Sequence, residues 1–114
     1  MARIELAPEL TEDFERILEH LLAHEVADAA SRLADVIRAI DVLGQNPLIG
    51  RPIQSGLREL VMGRGSRGYV ALYRYVEEVD IVFVLAIRAQ KERGYGRDLP
   101  QGFDTRIGTT VSGQ

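Results

Sequence analysis

YVALYRYVEEVDIVFVLAIRAQKERGY, residues 69–95, is the stretch on which the fold turns. YVALYRYV (69–76) is rich in tyrosine and β-branched residues, the composition of a strand. Glu77-Glu78 stands where a hairpin turn belongs, and DIVFVLAI (80–87) reads as the returning strand. That second run has almost no alternation, so the expectation is a central strand covered on both faces. One face is expected to meet helices, and the other a partner or the C-terminal segment. The strand then exits into RAQKERGY (88–95), with three cations within six residues and a closing tyrosine. So much positive charge at the exit of the most apolar strand asks for an anionic partner.

Working outward, LRELVM (57–62) is a further strand, joined to 69–76 by the glycine-rich, basic turn GRGSRG (63–68). Upstream, PLIGRP (47–52) is a helix-free connection stiffened by two prolines. Ala29, Leu33, Val36, Ile37, Ile40 and Leu43 recur at helical spacing and predict a helix over 28–43, with Gly44 suited to a left-handed C-terminal position. Leu10, Phe14, Ile17, Leu18, Leu21 and Leu22 do the same for 8–23, where Pro8 suits the first turn and Glu9, Glu12 and Asp13 suit the positive end of the macrodipole. RIEL (3–6) alternates as a short first strand. The order β-α-α-β-β-β predicts an α+β fold: an N-terminal antiparallel two-helix hairpin packed on a small, mainly antiparallel sheet. Residues 1–97 form the domain, and 98–114, without periodicity, is expected to be a flexible tail.

Composition narrows the function. The chain has 114 residues, 46% of them hydrophobic and 27% charged, as in an ordinary single globular domain. It has no cysteine, which excludes disulfides and thiolate metal sites. His20 and His24 sit four apart without an HExxH glutamate or a third ligand, so they read as solvent-side residues, and neither metal nor cofactor is expected. The absence of a long apolar run and of a leader pattern gives the expectation of a cytoplasmic protein that does not enter membranes. The net charge of −3 hides an asymmetry, because residues 1–50 carry 4 basic and 10 acidic groups whereas 51–97 carry 9 basic and 5 acidic. Such a split fits either a local anionic partner for the second half or two halves that attract each other.

The Gly50-Arg51-Pro52 connection, Leu57-Arg58-Glu59-Leu60, Gly68-Tyr69, Tyr73-Arg74, the acidic turn and the closing Arg88-x-Gln90-Lys91-Glu92-x-Gly94-Tyr95 come in a telling order. Together they resemble the core of the RelE/ParE toxin superfamily of bacterial type II toxin–antitoxin, or plasmid stabilisation, systems. The wording is closer to the ParE-like branch, and the resemblance covers roughly residues 2–97. It implies a toxin neutralised by a cognate acidic antitoxin. Two activities divide the family: ParE-like members poison DNA gyrase without being enzymes, and RelE-like members cleave mRNA on the ribosome.

The residues favour the first activity. RNA cleavage needs cations on the phosphate and a positioned acid or base. The resemblance places Val70 where a nuclease would carry a catalytic arginine, Val61, Met62 and Gly63 where basic strand residues are usual, and Ala89 where relatives have histidine. If the protein is a nuclease, Arg88, Lys91, Arg93 and Tyr95 are the catalytic candidates. As a binding surface for target or antitoxin, the candidates are Arg58, Arg64, Arg67, Arg74, Arg88, Lys91, Arg93 and Tyr95. Tyr69, Tyr73 and Tyr75 share a strand face and are expected to pack. A gyrase poison is the leading reading, a ribosome-dependent nuclease the second, and a non-toxic interaction module of the same fold the third. A homodimer, or a hetero-oligomer with antitoxin, is the assembly to look for, and the sequence does not say whether the remaining sheet face serves it.

Overall fold

The computed structural model describes residues 1–24, 28–63, 68–92 and 94–95. Strand β1 (Arg3–Leu6) leads into helix α1 (Leu10–Ala23) and helix α2 (Ala29–Asp41). The chain then forms a single-turn 3-10 segment, a two-residue strand β2 (Arg51–Pro52), and strands β3 (Leu57–Met62), β4 (Tyr69–Val76) and β5 (Ile81–Ala89). The sheet order is β1-β5-β4-β3-β2, antiparallel except for β1, which pairs parallel to β5. This is the α+β architecture expected, with β2 added inside the proline-stiffened connection. The segment read as a tail, 98–114, lies outside the described residues.

The helix pair covers one sheet face. Leu10, Ile17, Leu21, Val36 and Ile40 from the helices meet Tyr69, Ala71, Tyr73, Val82, Val84 and Ile87 in one buried cluster. The opposite face carries a smaller cluster of Leu57, Leu72, Ala86 and Tyr95, so the C-terminal segment supplies part of its cover. Both faces of β5 are therefore packed, as its missing alternation predicts.

A bulge makes that possible. Pairing steps from Tyr73↔Val84 to Leu72↔Ala86, which leaves Leu85 as the extra residue on β5. The bulge resets the alternation, so Val82 and Val84 face the helices before it and Ile87 faces them after it.

Some local expectations are corrected. Helix α1 starts at Leu10, and Pro8 belongs to the turn that precedes it. Helix α2 ends at Asp41, and Gly44 closes the 3-10 turn without a positive φ. What Gly44 supplies is closeness: its carbonyl accepts the Ala2 N–H at 2.7 Å, and a Cβ there would sit 3.2 Å from the Ala2 carbonyl oxygen. The acidic turn is a 3-10 turn over Glu77–Val79 that ends with Asp80 in the left-handed region at φ 55°, a conformation aspartate tolerates.

Candidate functional site

Strand β5 outruns β1. Their pairing ends at Leu6↔Val84, and the Ala7 N–H bonds the Val84 carbonyl as the last contact. Beyond it the edge of β5 would expose unpaired backbone groups, an invitation to foreign strands. Side chains of α1 take the place of a strand there. Asp13, fully buried, accepts the Ile87 N–H at 2.9 Å through Oδ2, while Arg16 Nη2 donates to the Ile87 carbonyl at 3.0 Å. Glu92 Oε1 accepts the Ala89 N–H at 2.6 Å. Arg16 also pairs with Asp13 and Glu92 at 3.1 Å each and reaches the Tyr95 carbonyl at 3.3 Å. Burial opposes the Arg16 charge, but the bonds to Glu92 and Asp13 outweigh it and raise its pKa.

A second polar cluster sits on the face away from the helices. Glu59 is buried among Leu57, Leu72 and Tyr95, and strand alternation puts it there. Its Oε2 accepts the Tyr95 hydroxyl at 2.7 Å, its Oε1 accepts Arg51 Nη2 at 2.8 Å, and Arg88 Nη2 lies 3.9 Å away. Arg88 stacks over the Tyr95 ring at 5.3 Å and donates Nη1 to the carbonyls of Ala89, Gln90 and Glu92. Burial and then the Glu59 carboxylate push the Tyr95 hydroxyl well above the ordinary tyrosine range, with Arg88 pulling the other way.

Of the sequence-derived residues, Arg88 and Tyr95 are thus brought together on Glu59. Lys91 stands apart, exposed in the turn after β5. Arg58 donates to the Leu48 and Gly50 carbonyls at 3.0 and 2.8 Å, and Arg74 to the Ser55 carbonyl at 2.7 Å. These bonds orient a cation without cancelling its charge. Arg64, Arg67 and Arg93 lie outside the described residues. Tyr69 and Tyr73 are buried against the helices; Tyr73 donates to the Pro47 carbonyl and accepts the Gly50 N–H, both at 2.8 Å. A Cβ on Gly50 would lie 2.6 Å from the Tyr73 ring, which explains the glycine of the Gly-Arg-Pro connection. Tyr75 donates to Asp80 at 2.7 Å, and that bond pushes its pKa up to about 12.

Asp13, Arg16, Glu59 and Glu92 escape the sequence reading as organising residues. The signal is nevertheless present, since Asp13 stands between Leu10 and Ile17 on the apolar stripe of α1 and Glu59 between Leu57 and Val61 on one side of β3. A polar residue at a core position is the feature to ask about. Among the described residues no group of three His, Asp or Glu side chains is placed to hold a metal ion, and no helix is long and apolar enough to cross a membrane.

Chemically, the arrangement fixes cations and buries a hydroxyl in its neutral form. Comparison with known proteins agrees in fold and family. The model of the ParE toxin of type II toxin–antitoxin systems, parDE, matches residues 4–94. A curated relative, Toxin RelE3 of Caulobacter vibrioides, is 33% identical over 94 residues, which are 82% of this chain and 99% of that protein. The toxin–antitoxin complex RelBE2 of Mycobacterium tuberculosis contains a chain of similar fold, with TM-score 0.50, 22% identity, and coverage of 78% of this chain and 98% of that one. The chain belongs to the ParE toxin family of type II toxin–antitoxin systems, within the RelE/ParE superfamily.

Proposed function

We propose that this toxin acts in the cytoplasm by binding and poisoning DNA gyrase, and that a cognate acidic antitoxin neutralises it. The observation that carries the reading is the engagement of the Arg88–Tyr95 pair. A general acid or base must reach a substrate proton, whereas the Tyr95 hydroxyl is buried and already donates to Glu59. Arg88 is committed to three backbone carbonyls of its own turn. Together with Val70 in place of an arginine, this supports a surface that works by contact. Arg58 and Arg74, anchored to carbonyls, suit an anionic partner, and Arg64, Arg67, Arg88, Lys91 and Arg93 remain candidates from the sequence. The RelBE2 relative is a toxin–antitoxin complex, which supports an antitoxin partner here.

The test is a gyrase assay with purified protein, plasmid and ATP, scored for supercoiling and trapped double-strand breaks. Breaks that grow with protein concentration are expected. Intact supercoiling at large molar excess overturns the reading, and cleavage of ribosome-bound mRNA, lost on Lys91→Ala or Tyr95→Phe, would put a nuclease in its place. A curated relative bears the name RelE3, so the second assay belongs beside the first. Harmless expression without antitoxin, with both assays negative, would identify an interaction module.

A further inference from the structure

Where β4 begins and β5 ends, the C-terminal half of α1 and the early part of α2 overhang a cleft of about 350 Å³. Arg16, His20 and His24 reach it from α1, Arg32 from α2, and Lys91 and Glu92 from the turn after β5. Glu92 is the carboxylate among them, and both of its oxygens are occupied. Oε1 accepts from the Ala89 N–H and from Arg16 Nη2 at 3.3 Å, and Oε2 accepts from Arg16 Nε at 3.1 Å. Arg16 and Glu92 therefore neutralise each other on one wall.

The remainder is cationic. Arg32 and Lys91 enter none of the ion pairs found among the described residues. The His20 and His24 rings lie with centroids 4.2 Å apart. His24 Nδ1 is 2.9 Å from the His20 carbonyl oxygen, which can only accept, so Nδ1 carries the proton and donates there.

We propose that this cleft binds a phosphate group. Arg32 supplies the paired N–H donors that match a phosphate edge, Lys91 a point charge, and the two histidine rings further polar contacts. The phosphate comes either from a nucleic-acid backbone or from a free phosphate such as that of a nucleotide. The site lies on the helix side of the sheet, away from the Glu59–Tyr95 cluster, and does not depend on which target the toxin attacks.

The experiment follows the imidazole resonances of His20 and His24 in the full chain while inorganic phosphate is added. Saturable shifts of both rings are expected. Arg32→Gln should weaken binding about tenfold, and Lys91→Gln by less. A short DNA duplex that binds more tightly than inorganic phosphate, with the same dependence on Arg32, assigns the phosphate to a nucleic-acid backbone; the reverse order assigns it to a free phosphate. Amide spectra check folding, and should Arg32→Gln unfold the protein, Lys91→Gln and His24→Gln at exposed positions carry the test. Absence of saturable shifts, or affinity unchanged in the folded variants, overturns the proposal.

Discussion

At the scale of the residue, the carboxylate of Glu59 holds together three side chains that are far apart in sequence: Arg51, Arg88 and Tyr95. A carboxylate at this depth is tolerable because two guanidinium groups and a hydroxyl replace its water. Tyr95→Phe keeps the ring on Leu57, Leu72 and Ala86 but removes the donor to Glu59. A bond to a charged acceptor contributes about 1.5–3 kcal/mol, and the urea midpoint should fall by the equivalent amount. The same bond makes a pH prediction. Burial and Glu59 raise the Tyr95 pKa in the folded state, so above about pH 10 the unfolded chain sheds a proton that the native chain keeps. The stability this provides is full below that pH and is lost as pH climbs through the raised folded value. Tyr75, pushed up to about 12 by Asp80, adds to the same alkaline decline. Stability of Tyr95→Phe should fall less steeply between about pH 9 and 11 than that of the parent. Equal slopes would show that the hydroxyl of Tyr95 does not carry the alkaline transition.

At the scale of the element, the end of β5 is finished by side chains where its neighbour β1 has stopped. Asp13→Ala should leave the Ile87 N–H without its acceptor, at a cost of about 1–3 kcal/mol, and should speed hydrogen exchange at that amide. Asp13→Asn keeps an acceptor oxygen and should cost less. If the Ile87 amide exchanges equally slowly in Asp13→Ala, water or another group serves that edge. This device also marks the limit of what the sequence discloses. The three long strands and both helices are legible because their patterns are local: tyrosine and β-branched content in β4, and a spacing of three and four in α1 and α2. The parallel pairing of β1 with β5 is not, since RIEL contains nothing that selects a partner strand 78 positions away, as Arg3↔Ile81 requires. Nor is the Leu85 bulge, which shows only as a lack of alternation that full burial explains equally well. Asp13 is masked for a different reason. An acidic residue in the first turns of a helix already has an explanation in the macrodipole, and burial against β5 depends on how α1 is laid across the sheet. For the candidate site, the cations were visible but their neutral carbonyl partners were not, because backbone oxygens have no signature in sequence.

At the scale of the whole molecule, the two readings of the charge split can now be weighed. Were the acidic and basic halves held by mutual attraction, carboxylates of residues 1–50 would meet cations of 51–97. Among the described residues, the ion pair found between the halves, Arg16 with Glu92, runs the other way, a cation of the acidic half on an anion of the basic half. Arg38 pairs with Asp35 and Arg3 with Glu5 inside the first half, and Arg51 and Arg88 share Glu59 inside the second. Arg58 and Arg74 each donate to backbone carbonyls in exposed hydrogen bonds, which fixes positive charge of the second half in direction. Such a field acts before contact, by steering an oppositely charged partner. The association rate with the acidic antitoxin proposed above should therefore fall steeply as ionic strength rises from about 0.01 M to about 0.15 M, while dissociation changes little. Arg74→Gln should flatten that dependence, because it removes a cation from the steering face and leaves the buried cluster around Glu59 in place. Stopped-flow mixing of toxin and antitoxin across a salt series measures both rates. An association rate insensitive to salt would mean that the antitoxin is captured through apolar contact, and that the positive charge of the second half serves the target instead.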